Sequence, residues 1–198
     1  MTKNQRRTIG LDRSIHVEWL DAVAGRLAAG VSAKEVREYA WNLLDGVVAG
    51  DSVHSARGKT LTVLSRVWLT VPPAVEALRD SALPVVLSAS AAERLAVHWA
   101  MIAAAYPFFV DIAGNVGKSI RLRGEVSLSQ LMRRLVLVWG DRSTLRPATQ
   151  RVVRSMVGWG VLRDGGRSGQ YLPASKRVAV GDEVTALLER LDGPLWLG

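Results

Sequence analysis

The sequence predicts a mainly α fold in two parts: a helical bundle over residues 15–105, then a smaller unit over 106–177 in which three helices lead into a β-hairpin. Two patterns predict it. Capping residues and apolar spacings recur at helical intervals through the first part, and in the second a glycine-rich loop separates two short β-compatible runs. A third observation sets the parts apart: positive charge is concentrated in the second. A basic tail (residues 1–14) and a C-terminal helix and tail (residues 178–198) complete the expected organisation.

In the first part, residues 15–29 place Trp19, Val23, Leu27 and Ala28 at helical spacing, with Gly30 as the stop. Ser32 and Glu35 form a capping box opening a helix to about residue 49, with Val36, Tyr39, Ala40, Leu43 and Leu44 on one face. Asp51 can cap a third helix, running past Leu61, Leu64 and Trp68 to Pro72 and Pro73. A short helix over 74–80 and a break at Pro84 are expected next. Ser90 and Glu93 form a second capping box, starting a very apolar helix through Leu95, Trp99 and Ile102. Short loops and repeated caps suggest a compact bundle.

In the second part, a helix over 106–122 tolerates Pro107 in its first turn. A brief strand at 124–126 follows. Ser127 and Gln130 offer a capping box for a helix that turns Leu128, Leu131, Leu135 and Val138 inward. After a turn at Gly140 and Asp141, a helix runs to Gly158 with Leu145, Ala148, Val152 and Met156 inward. Pro147 would sit deep in that helix if Ser143 capped it; with Thr144 as cap and Leu145 first, Pro147 falls in the first turn. The runs 160–163 and 170–172 around residues 164–169 signal a hairpin. Residues 182–191 form a last amphipathic helix.

Composition bounds the function. The 198 residues are 48% hydrophobic and 22% charged, the profile of a globular chain with a sizeable core. Without cysteine there are no disulfides, thiolate metal sites or cysteine nucleophiles. The basic start leads into polar residues, unlike a secretory signal. The longest apolar stretch, 95–110, contains His98 and Pro107 and falls short of the ~20 residues of a membrane span. A cytoplasmic protein with no membrane partner is the expectation.

The net charge of +8 is unevenly spread. Residues 118–177 carry thirteen basic side chains against Glu125, Asp141 and Asp164, a net +10. Residues 1–14 add +3, while 15–117 and 178–198 sum to −2 and −3. Such asymmetry is the footprint of a nucleic-acid-binding segment beside a structural one.

Helix, short strand, helix, turn, helix and basic-tipped hairpin is the order of a winged helix-turn-helix, whose third helix can enter a DNA major groove. At 100° per residue, Ser143, Arg146, Pro147, Gln150, Arg151 and Arg154 share a stripe of roughly 140°, opposite the apolar one. Arg and Gln can read guanine and adenine edges. The spacing therefore predicts that Arg146, Gln150, Arg151 and Arg154, with Ser143, enter a groove, while Lys118, Arg133, Arg142, Arg163 and Arg167 mainly meet phosphates.

The stretch 105–164, with its GDRST turn and VVRSMVGWGVL helix-to-strand passage, resembles the BrxA-like small accessory proteins of BREX phage-defence systems. The likeness extends over most of the chain, but its specific part is 106–164. It implies a NusB-like or otherwise helical region joined to a DNA-binding winged helix, and a non-enzymatic role beside other defence-system proteins. Pro147 departs from the pattern at the reading helix.

Catalytic signatures are missing. Gly117-Lys118-Ser119 and Gly58-Lys59-Thr60 mimic P-loop endings, but the required earlier glycines are Ile112 and Val53 in helical surroundings. His16, His54 and His98 lack metal-ligand spacing, and His98 reads as a hydrogen-bonded core residue. No GxSxG elbow occurs, and nothing pairs Glu93 with Asp111. The reading is of a protein that is not an enzyme and needs no cofactor or metal, with double-stranded DNA as its partner. Of seven tryptophans, most read as core, Trp139 and Trp159 as clamps on the reading unit, and Trp196 as a docking or folded-back tail end. A winged-helix transcriptional regulator, an RNA-binding or antitermination-like factor and a protein scaffold are the alternatives, and a homodimer is compatible with all of them.

Overall fold

The computed structural model describes residues 9–174 and 181–189. It is mainly helical, with one small three-stranded antiparallel sheet. By contacts the described chain forms two compact units: residues 15–105 with 181–189, and residues 9–14 with 106–174. Among the described residues no helix is long and apolar enough to cross a membrane.

In the first unit, α1 (Val17–Ala28) packs against α2 (Ala33–Leu43), α3 (Ala56–Trp68), α4 (Glu76–Ser88) and α5 (Ala91–Ala105). Its face of Leu20, Val23 and Ala24 is fully buried, as are Val36, Ala40, Leu64, Val67, Trp68, Val97, Ala100 and Met101 around it. Burying each larger aliphatic side chain stabilises by about 1.5–3 kcal/mol, so this shared face dominates the unit. Both expected capping boxes are present: Ser32 with Glu35, and Ser90 with Glu93, whose carboxylate accepts from the Ser90 backbone N–H at 2.9 Å and hydroxyl at 2.7 Å. Glu93 also accepts from the Gly181 N–H at 3.1 Å, directly ahead of α9 (Asp182–Glu189). That helix rests on α4 and α5, with Val184 and Leu187 buried.

Three expectations for this unit are corrected. The second helix ends at Leu43 rather than near residue 49, giving way to turns that include a left-handed Gly46. Ser55, not Asp51, caps α3, its hydroxyl accepting from the Gly58 N–H at 3.2 Å. Asp51 lies instead 3.5 Å from Arg57, a side chain only 6% exposed. Arg57 donates to the Trp41 carbonyl (2.9 and 2.6 Å) and to Asp45 (2.8 Å), and its guanidinium stacks 4.0 Å from the Trp41 ring centroid. It thereby ties the first turn of α3 to the end of α2. Gly58 belongs there for steric reasons: a Cβ would lie 2.4 Å from the Val53 carbonyl oxygen. Finally, Pro84 does not break α4, which runs through it after a 3-10 turn at Pro73–Val75. Proline leaves the Asp80 carbonyl without its helical donor, but both residues are exposed, so water can serve that carbonyl. Packing of Ala82 and Val86 holds the helix together.

A polar link joins α1 to α5. Asp21 Oδ1 on α1 accepts from Arg94 Nε at 2.8 Å and from His98 Nε2 at 2.9 Å on α5. His98 is fully buried, edge-on to Trp68 at 5.5 Å. A carboxylate only accepts, so Nε2 carries the proton, and Nδ1 has no hydrogen-bond partner among the described residues. Burial pushes the imidazole below its ordinary pKa, outweighing the pull of Asp21 in the other direction. For Asp21, burial raises the carboxyl, but the hydrogen bonds from His98 and Arg94 prevail and leave it lowered.

Both shifts make acid destabilising. With the folded His98 pKa depressed, its contribution is complete above the unfolded value of about 6.5 and is lost as pH falls below it; Asp21 acts similarly below about pH 4. Thermal unfolding of the chain should therefore drop in midpoint between pH 7 and pH 5. His98→Gln, which keeps a donor for Asp21 but does not titrate, should flatten that dependence. Parallel curves for the two proteins would contradict the assignment.

Candidate nucleic-acid interface

The second unit is built on α6 (Pro107–Arg123). Pro107 sits at its first position, where the missing N–H costs nothing, and a left-handed Gly124 (φ 72°) ends it. Phe108, Phe109, Ile112, Ala113 and Val116 are buried against α7 (Leu128–Trp139) and α8 (Leu145–Gly158). Trp139, at the end of α7, packs edge-on to Phe108 at 5.1 Å, and its Nε1–H donates to Asp111 Oδ2 at 2.8 Å. Trp159, just past α8, meets Phe109 at 6.1 Å. Both helices are therefore held by their C-terminal ends to the start of α6.

Between α6 and α7 lies β1 (Val126–Ser127), and after α8 come β2 (Leu162–Asp164) and β3 (Gln170–Pro173). The sheet order is β1-β3-β2, all antiparallel, with Val126 opposite Tyr171 and Arg163 opposite Leu172. Ser127 was expected to cap α7 but makes no capping bond. Its backbone is extended and paired with Gln170, and the Leu128 N–H donates to the Gly169 carbonyl at 2.8 Å instead. The inward set of α7 is Leu128, Leu131, Met132, Leu135 and Trp139; Val138, expected inward, is 54% exposed. It lies in the last turn, where Trp139 makes the contact with α6.

Helix α8 starts at Leu145 with Thr144 before it, so Pro147 stands in the first turn. Leu145, Ala148, Val152 and Met156 are completely buried, as their spacing requires. Arg146, Gln150 and Arg154 are exposed along the opposite face, with Ser143 exposed in the preceding turn. Arg151 differs: it is half-buried at the edge of the stripe, and its Nη1 donates to the Asp12 carbonyl at 3.0 Å. The segment 9–14, expected as part of a tail, is packed here, with Leu11 buried and Gly10 close against the Tyr106 ring. Residues 1–8, with Lys3, Arg6 and Arg7, lie outside the described residues, as do Lys176, Arg177 and Trp196.

The remaining cations divide by position. Arg163 and Arg167 are exposed on the hairpin, Arg142 is half-buried before α8, and Arg133 is exposed on α7. Lys118 is exposed on the side of α6 turned away from its buried residues, so the stripe on α8 does not include it. Arg154 Nη1 is engaged by Asp164 Oδ1 at 2.8 Å, across from the third turn of α8 to the end of β2. Sequence reasoning missed this pair and the Arg151 tie. The available signal for the first was Asp164 itself, one of three carboxylates among thirteen basic side chains.

Outside this unit a groove of about 590 Å³ between α2 and α3 is rimmed by Lys34 and Arg37 but also by Glu38 and Asp51. Its balanced charge does not favour a polyanion. The described residues contain no group of three or more side chains able to hold a metal. No protein-family model, curated protein or solved structure matches the chain.

The clamp at Trp139 is testable by itself. Trp139→Phe keeps the ring contact with Phe108 but leaves Asp111 without the indole donor. Chemical denaturation should show a loss of about 1–3 kcal/mol. A change within about 0.3 kcal/mol would show that Asp111 does not depend on this bond.

Proposed function

We propose that residues 106–174 act as a winged helix-turn-helix that binds double-stranded DNA, with α8 as the reading helix and the β2–β3 loop as the wing. The observation that carries this reading is the exposed face of α8. Arg146, Gln150 and Arg154 project from one stripe whose reverse side is completely buried, so the helix is rigidly backed and chemically suited to base edges. Arg163 and Arg167 on the hairpin, with Arg142 before α8 and Arg133 on α7, supply phosphate contacts that fix register. Lys118, on the far side of α6, contributes mainly to the long-range field. Arg151 serves chiefly to hold residues 9–14 against α8.

The first unit brings no excess of positive charge and has the character of a structural or partner-binding module. Together with the resemblance to BrxA-like proteins, this favours a non-enzymatic DNA-binding accessory role in anti-phage defence over a ligand-responsive regulator.

Anisotropy titration of a labelled duplex against salt tests the reading. Each phosphate contact contributes about −0.9 to the slope of log K against log salt, so the four cations named give a slope of about −4. Arg146→Ala should weaken the preferred duplex by about 1–3 kcal/mol, while Arg167→Ala should lower affinity evenly across sequences and reduce the slope by about one. A flat salt response, or preference for structured RNA over every duplex, would overturn it.

A further inference from the structure

Resting on that DNA-binding reading, we propose that Asp164 is the specificity-determining positioning residue of the interface. Its carboxylate fixes the Arg154 guanidinium by one nitrogen so that the other edge is presented to a base.

The geometry is specific. Nη1 is occupied by Asp164 Oδ1 at 2.8 Å, which leaves the Nε–Nη2 edge of the same planar group free among the described residues. Two parallel donors on one edge are what a guanine O6 and N7 accept together. An arginine on an exposed helix face otherwise samples many rotamers, and ordering it on binding carries an entropic cost. A carboxylate already bonded to it removes much of that cost and favours the planar base edge over a phosphate. The pair has little value for folding, because both side chains are more than half exposed, at 54% and 62%. Nor does a carboxylate help to attract DNA. Asp164 stands at the end of β2, beside a hairpin that carries Arg163 and Arg167, where it repels any backbone phosphate approaching Arg154. A surface built only for non-specific attraction would gain from its removal. A negative group placed against one arginine, in a segment of net +10, raises discrimination at the expense of general affinity.

The test uses the full chain and a duplex library with a randomised twelve-base-pair core. Wild-type protein is used to enrich a preferred duplex, and discrimination is the ratio of Kd for a scrambled duplex to Kd for the enriched one at fixed salt. Asp164→Asn should tighten binding of the scrambled duplex by a few-fold while discrimination falls by about tenfold or more. Arg154→Ala should lose discrimination to a similar extent. Adding Asp164→Asn to Arg154→Ala should change discrimination no further, since nothing remains to be positioned. Arg154→Lys, which keeps the charge without the planar fork, should resemble Arg154→Ala. If Asp164→Asn tightens both duplexes equally and leaves the ratio intact, the carboxylate is only a repulsive charge and the proposal fails alone. Binding by wild type without enrichment of any sequence also overturns it, because there is then no base for Arg154 to read. If wild type binds no duplex, the DNA-binding reading fails first.

Discussion

The second unit depends on two indole rings seated at the start of α6. Trp139 and Trp159 close α7 and α8 respectively, and each packs on one of two consecutive phenylalanines, Phe108 and Phe109. Aromatic pairs of this kind add about 0.5–1.5 kcal/mol beyond the area they bury. Their larger effect is geometric. Two helices fixed at one end to adjacent residues of a third have little freedom in crossing angle. The outer face of α8 therefore has a defined direction with no ligand present. The Asp111 acceptor then makes the Trp139 seat directional, since rotating the indole would break its N–H bond to the carboxylate.

Where local chemistry decides, the sequence was a good guide. The Ser32 and Ser90 capping boxes, Pro107 at the start of α6 and the start of α8 at Leu145 all follow from constraints spanning three or four residues, although Thr144, expected to cap α8, makes no side-chain capping bond. Expectations failed where a distant partner overrode the local preference. Ser127 is a good cap in isolation, yet its backbone pairs with Gln170, forty-three positions later. Asp51 is a good cap too, but the buried guanidinium of Arg57 draws it elsewhere. Pro84 reads as a breaker until packing of Ala82 and Val86 is taken into account. Val138 has the phase of a core residue at a point where the helix has run past its neighbours.

The candidate site shows the same division. Helical phase separates buried Leu145, Ala148, Val152 and Met156 from exposed Arg146, Gln150 and Arg154, with Pro147 and Arg151 of the expected stripe only half-exposed. The fate of individual arginines could not be read that way. Arg151 and Arg154 differ by three positions, yet one is tied to a carbonyl from the chain start and the other to a carboxylate from the hairpin. The former required knowing that residues 9–14 return to this unit. The latter required the twist of a hairpin whose register only the folded chain sets.

The central place of β3 changes what kind of object the hairpin is. A ribbon that merely projected from the last helix could bend or be exchanged without consequence for the rest. Here β3 is paired on both sides, and the Gly169 carbonyl beyond it receives the first amide of α7. The strand thus joins the C-terminal part of the unit to the junction of α6 and α7, as a seam closes a sleeve. Side chains are tolerated at Gly166, which has open space around it, but not at Gly165, where a Cβ would lie 2.9 Å from the Gln170 carbonyl oxygen. A shift of one residue in the stem would turn Tyr171 out of the core and unseat the start of α7 together with it.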